Sequence, residues 1–192
     1  MPTLSLHSLG KIDIYYEEEG SGEPLVLVGG FTATVEVWGK LRPLLAGKYR
    51  VIMPDNRGSG RTRIEDDDGD RAPKRFAQDV LSLINALGLE QVHLMGSSMG
   101  GMIVQEFGVQ YPERLKSLIV SSSHFGGGEK IDSPPGVRET RKRGGVPGAT
   151  KEERIEALET IFHTETIRTR PEVVEFYDQN KQAFPHSAEE LE

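Results

Sequence analysis

The stretch Val92-His93-Leu94-Met95-Gly96-Ser97-Ser98-Met99-Gly100-Gly101-Met102 decides how the rest of the chain is read. Its first four residues are mostly apolar and read as a strand buried in a sheet. From Met99 to Tyr111 the sequence reads as a helix, and Pro112 stands just beyond it. Between strand and helix, Gly96-Ser97-Ser98-Met99-Gly100 fits G-x-S-x-G. A serine on so sharp a turn has strained backbone angles, and its hydroxyl is pushed out above the sheet. Side chains two residues before and after it would collide, so both positions require glycine. Gly96 and Gly100 meet that requirement around Ser98. Ser97 fails it, being flanked at the same distances by Met95 and Met99.

The helix that follows supplies a second element of chemistry. Its first amides have no partner within the helix, and its dipole favours negative charge there. The Met99 N–H is therefore a candidate donor to an oxyanion formed when Ser98 attacks a carbonyl. A second donor is expected in the loop after a neighbouring strand. Leu25-Val26-Leu27-Val28 is a continuous apolar run followed by Gly29-Gly30-Phe31, which makes the Phe31 N–H the candidate. Donors of this kind are worth about 3–4 kcal/mol each in the transition state. The plain alternatives are a strand–helix turn and a glycine turn without chemistry.

Working outward, Leu4–Leu6 and Ile12–Tyr16 alternate as a hairpin joined near Gly10, and Arg50–Met53 is another buried strand ended by Pro54 and Asp55. Val35–Leu45 fits one short helix. Phe76, Val80, Leu83, Ile84 and Leu87 recur at helical spacing before Gly88, and Leu118-Ile119-Val120 is a further buried-type strand. Alternating strands and helices of this length predict an α/β fold, a mostly parallel sheet with helices on both faces. After Ser123 the pattern changes to glycine- and proline-broken sequence and two helical segments, 151–162 and 171–183. The expected division is therefore a core over residues 1–123 and a helical element over 124–192.

Composition removes several classes of function. Hydrophobic residues are 36% and charged residues 28% of the 192-residue chain, which argues against global disorder. A net charge of −7 disfavours nucleic acid as a partner. There is no cysteine, which excludes disulfides and thiolate chemistry. No signal-peptide pattern opens the chain and no apolar run approaches the roughly 20 residues of a membrane span. The expected location is the cytoplasm.

Three spaced motifs resemble the α/β-hydrolase family over about Leu4–Ser123: Gly29-Gly30-Phe31, Asp55-Asn56-Arg57-Gly58-Ser59-Gly60-Arg61-Thr62, and His93 to Met102. With Tyr111-Pro112-Glu113-Arg114, the last is similar to the branch of 3-oxoadipate enol-lactonases, small esterases and cofactor-free haloperoxidases. The resemblance implies Ser98 as nucleophile, Phe31 and Met99 as oxyanion donors, Asp55–Gly60 as a structural turn, and a helical cap after His124. It calls for no cofactor and no metal. The family usually carries His-Gly where this chain has Gly29-Gly30. It also places a triad acid and histidine on two further strands after the cap, whereas this chain stops at Glu192. The expectation is a serine hydrolase of small esters or lactones whose acid and base lie outside the chain. Perhydrolysis and a non-catalytic scaffold are the alternatives. On that reading Leu118–Val120 becomes an open edge, available to a second chain completing the fold or to a self-pairing dimer.

Serine is a poor nucleophile without a base. His7, His93, His124, His163 and His186 are the candidates, and His124 is nearest by topology, following the strand beside the turn; each has a bland structural reading. Asp79 is read as beginning a helix and Asp55 as ending a strand. Glu65-Asp66-Asp67-Asp68-Gly69-Asp70 has the alternation of a calcium loop, but Arg71 and Ala77 occupy positions that need glycine and glutamate, so it reads as solvated. Arg138–Arg143 reads as an exposed basic face.

Overall fold

The computed structural model describes residues 3–6, 12–65, 67, 69–126 and 133–183. The turn near Gly10, His7, His186, Asp66 and Asp68 lie outside them. The chain divides into two compact units, Met1–Lys130 and Ile131–Glu192.

The first unit is built on a mixed sheet. Strand β1 (Thr3–Leu6) pairs antiparallel with β2 (Ile12–Glu19), as the alternation predicts. The apolar runs form β3 (Glu23–Val28), β4 (Tyr49–Pro54), β6 (Val92–Ser97) and β7 (Leu115–Ser121). The sheet order is β1-β2-β4-β3-β6-β7; β4, β3, β6 and β7 are mutually parallel, and β2 pairs antiparallel with β4. A two-residue strand β5 (Arg63–Ile64) pairs with β2; it is too short to leave an alternation signal in sequence.

One face of the sheet carries Val26, Val28, Ile52, Val92 and Leu94 against the two long helices, α2 (Pro73–Ala86) and α3 (Met99–Gln110). The other carries Leu25, Leu27, Val51 and Met53 against Val35 and Trp38. The single helix expected over Val35–Leu45 is instead a 3-10 turn, Val35–Trp38, and a one-turn helix α1, Arg42–Leu45. Gly39 caps the first piece and Pro43 sits in the first turn of the second, where its missing N–H costs nothing.

Strand β7 ends the sheet and does not have the burial its composition suggests. Leu118, Ile119 and Val120 are 40–44% exposed. Among the described residues β6 accompanies it on one side only.

The second unit is helical: α4 (Val137–Gly145), α5 (Lys151–Glu159), α6 (Thr164–Thr169) and α7 (Pro171–Ala183). Among the described residues four helices stand where sequence periodicity shows two. α5 opens with a reciprocal Thr150–Glu153 capping box. The basic run is part of α4 and engages the α5 region: Arg141 Nε donates to Thr160 Oγ1 at 2.7 Å, and Arg143 pairs with Glu156. α4 crosses close to α5 at Gly144, where a Cβ would overlap the Glu153 carbonyl. Arg154 on α5 donates to Asp178 on α7 at 2.7 Å. No helix among the described residues is long and apolar enough to cross a membrane.

Candidate active site

Ser98 sits between β6 and α3 with φ 56° and ψ −122°, a conformation that L side chains rarely adopt. The residue is exposed. A Cβ on Gly96 would overlap the Gly100 carbonyl, and one on Gly100 would overlap the carbonyl of Val28. The two glycines expected from spacing alone are thus required by backbone proximity, the first within the turn and the second across to β3. Gly101 serves the other side, since a Cβ there would strike the Ser123 side chain.

The turn is tied to the exit of β7. Ser98 N–H donates to the Ser121 carbonyl at 3.0 Å, and the Ser98 carbonyl accepts from Ser123 Oγ at 2.7 Å and Gly101 N–H at 2.9 Å. Among the described residues, the non-glycine positions with positive φ are Thr32, Ser98 and Ser122. They lie just beyond the C-terminal ends of β3, β6 and β7, three adjacent parallel strands. Each such residue costs on the order of 1–3 kcal/mol, and concentrated strain of this kind marks functional sites.

Gly30 packs directly on Ser98, and Phe31 follows it, 53% exposed. The Gly30 carbonyl accepts from Ala33 N–H at 3.2 Å, closing a turn through Thr32 (φ 60°). Both ends of this loop are held from the end of β4. Asn56 Nδ2 donates to the Gly29 carbonyl at 3.0 Å, and Asp55 Oδ1 accepts from Val35 N–H at 2.8 Å. Asp55 Oδ2 also accepts from Arg61 N–H at 2.8 Å, and its backbone carbonyl from Thr62 Oγ1. Burial pushes the Asp55 carboxyl up to about 6, against the lowering effect of those N–H donors. Asp55 is thus more than the end of a strand.

Asp79 does not begin a helix. It lies inside α2, buried, and accepts from Arg57 Nε at 2.5 Å and Nη2 at 2.8 Å. The helix starts earlier, at Pro73. Pro at a first helical position is a legible signal, and it places Asp79 two turns in. Asp79 is raised by burial, with Arg57 opposing.

None of the three described histidines hydrogen-bonds to Ser98. His124 Nδ1 accepts from Gly126 N–H at 2.9 Å, which puts the proton of the neutral ring on Nε2 and leaves no free base nitrogen. His163 Nδ1 accepts from Glu165 N–H at the start of α6. His93 bonds through Nδ1 to Ser117 Oγ at 2.8 Å and through Nε2 to Glu23 at 3.2 Å. This has the outline of a serine–histidine–glutamate relay, but Ser117 is in mid-strand, with no turn to present an oxyanion donor, and Lys116 also pairs with Glu23. Ser98 stands five positions beyond His93 along an extended chain, about 16 Å away. No group of three or more His, Asp or Glu among the described residues is placed to hold a metal, and Asp67 of the acidic loop bonds Arg71.

Residues 23–145 match the family model of the alpha/beta hydrolase fold. The chain is 33% identical over 132 residues to the 2-hydroxy-6-oxo-6-phenylhexa-2,4-dienoate hydrolase of Comamonas testosteroni, covering 64% of this chain and 46% of that one. It superposes on a thermophilic esterase from Thermogutta terrifontis with TM-score 0.73 and 28% identity, over 100% of this chain and 72% of that chain. The enol-lactonase of Burkholderia xenovorans LB400 shares the fold at TM-score 0.75 and 18% identity, over 99% of this chain and 70% of that one. The chain spans less than half the length of the curated relatives it matches, 46% of the dienoate hydrolase.

Proposed function

The chain belongs to the alpha/beta hydrolase fold family, and we propose that Ser98 is the nucleophile with which it hydrolyses small esters or lactones through an acyl-enzyme. The observation that carries this reading is the backbone of Ser98: an exposed serine at φ 56° on a strand-to-helix turn, with neighbours two residues away that tolerate no Cβ. A fold accepts that strain where the hydroxyl must be presented in one direction.

In the reaction, Ser98 Oγ forms a bond to the substrate carbonyl carbon while its proton passes to a base. The carbonyl oxygen becomes an oxyanion facing the N–H groups of Met99, first residue of α3, and Phe31. Collapse of the intermediate expels the alkoxide, which takes a proton. Water then cleaves the acyl-serine ester by the same steps in reverse order. We assign the base and its acid outside the described residues: His93 has both ring nitrogens engaged, and His124 and His163 accept backbone N–H bonds at Nδ1, which puts the proton of the neutral ring on Nε2. The helical unit from Ile131 onward is the candidate cap.

A fluorophosphonate probe tests the assignment. It is expected to label Ser98 in the active protein, and Ser98→Ala is expected to abolish both the label and ester hydrolysis. Labelling that survives Ser98→Ala identifies a different nucleophile. A protein that folds and neither labels nor hydrolyses any ester or lactone is the non-catalytic scaffold.

A further inference from the structure

We infer that Asn56 is a positioning residue for the oxyanion loop: its side-chain amide sets the direction of the Phe31 N–H by holding the loop's first carbonyl. The inference rests on the hydrolase reading above for its catalytic consequence, though not for the geometry.

A trans peptide unit is planar, so fixing its C=O fixes the N–H on the opposite side of the same plane. The Phe31 N–H shares its plane with the Gly30 carbonyl, and that carbonyl is bound by Ala33 N–H. The preceding plane, ending in the Gly30 N–H, contains the Gly29 carbonyl, bound by Asn56 Nδ2 at 3.0 Å. Two successive planes are therefore pinned by hydrogen bonds to their oxygens. Only the Asn56 bond comes from outside the loop. Without it, the entry of the Ala33 turn is held by no side chain at Gly29, a buried residue whose neighbour Gly30 has no side chain to resist rotation.

The strap is double. Asp55, the residue before Asn56, accepts from Val35 N–H at the far end of the loop. Both side chains reach it because β3 and β4 are parallel neighbours, so their C-terminal ends emerge side by side. Asn56 is 7% exposed, and its own carbonyl starts the next turn by accepting from Ser59 N–H. The amide is thus held at its base as well as its tip. The asparagine side chain also suits the task chemically. It donates to a carbonyl without bringing charge beside the oxyanion, whereas a carboxylate would repel both.

Asn56→Asp keeps the size of the side chain and removes the donor; Asn56→Ala removes both. In each variant, hydrogen exchange at the Ala33 amide, which donates to the Gly30 carbonyl, is expected to rise about tenfold or more relative to Val51 and Ile52 of β4, the internal reference for global folding. Ester turnover is expected to fall about 10- to 100-fold in kcat with KM changed less than about twofold, because the lost contact acts on the transition state alone. Asn56→Asp that exchanges and turns over within about twofold of the parent overturns the inference. Faster exchange with unchanged kcat overturns it equally, since the strap would then be structural. A parent protein that carries its base and acid and still shows no turnover refutes the hydrolase reading, and the exchange comparison still decides whether Asn56 holds the loop.

Discussion

Gly30 stands so close to Ser98 that a Cβ added to it would lie 3.1 Å from the Ser98 Cβ and 3.6 Å from the Ser98 Oγ. Backbone from one strand's loop therefore walls the side chain presented by another. Gly30→Ala is expected to fold and to lose about tenfold in fluorophosphonate labelling rate, because a small displacement of a nucleophile costs heavily. Gly30→Val, whose branches extend toward Oγ, is expected to lose labelling altogether. Equal labelling in the two variants and the parent would show that the site tolerates the added volume.

The glycines around Ser98 differ from the chain's other glycines in a measurable way. Gly100→Ala would drive a methyl into the Val28 carbonyl, and a destabilisation of about 3 kcal/mol or more is expected in urea denaturation. At Gly47 an added Cβ would meet nothing within 4 Å, and the residue has no positive φ. Gly47→Ala is expected to be neutral or to stabilise by up to about 1 kcal/mol through the unfolded state.

Arg57 and Asp79 form a buried pair, with side chains 1% and 9% exposed. Arg57→Leu removes the guanidinium bound to the buried Asp79 carboxylate and is expected to cost about 3–5 kcal/mol at neutral pH. Adding Asp79→Leu is expected to restore most of that loss, since a desolvated ion pair is worth little more than an apolar one. The pair joins the turn after β4 to α2, so a thermal melt of single and double variants reads its coupling directly.

Asp55 titrates at about 6 in the folded protein against an ordinary value of 3.8. Between these values the folded state binds the proton more tightly than the unfolded chain. Its contribution to stability is therefore fully present below about 3.8 and is lost as pH rises through about 6. Carboxyl-resolved NMR is expected to place the Asp55 midpoint near 6. Asp55→Asn is expected to flatten the stability profile over that interval. It is also expected to lower stability overall by about 1–3 kcal/mol. Both carboxylate oxygens accept N–H bonds, from Val35 and Arg61, and asparagine offers only one acceptor.

Much of the sheet is legible in the sequence. Leu25–Val28, Arg50–Met53 and Val92–Met95 form β3, β4 and β6 because strands covered on both faces leave predominantly apolar runs. Helix α4, VRETRKRGG, is not legible. It has a single apolar residue before its terminal glycines, so it carries no periodicity to read, and its Arg141 and Arg143 find partners on and around α5. Leu118–Val120 has the composition of a buried strand and stands 40–44% exposed at the open edge that the family resemblance leads one to expect. Composition reports what a strand is suited to pack against, not what lies beside it.

The sequence by itself determined the turn at Ser98. Its constraint is local: glycines two residues to either side, a strand before and a helix after, all set by collisions among neighbouring atoms of one chain segment. Only the tertiary structure decided which residues serve that serine. Asn56 reaches Gly29 across 27 positions and Arg57 reaches Asp79 across 22. His93 is drawn to Ser117 and Glu23, away from the serine five residues on. Such pairings follow from the order and parallel register of β4, β3, β6 and β7. That order is a property of how whole strands pack, and no short pattern along the chain encodes it.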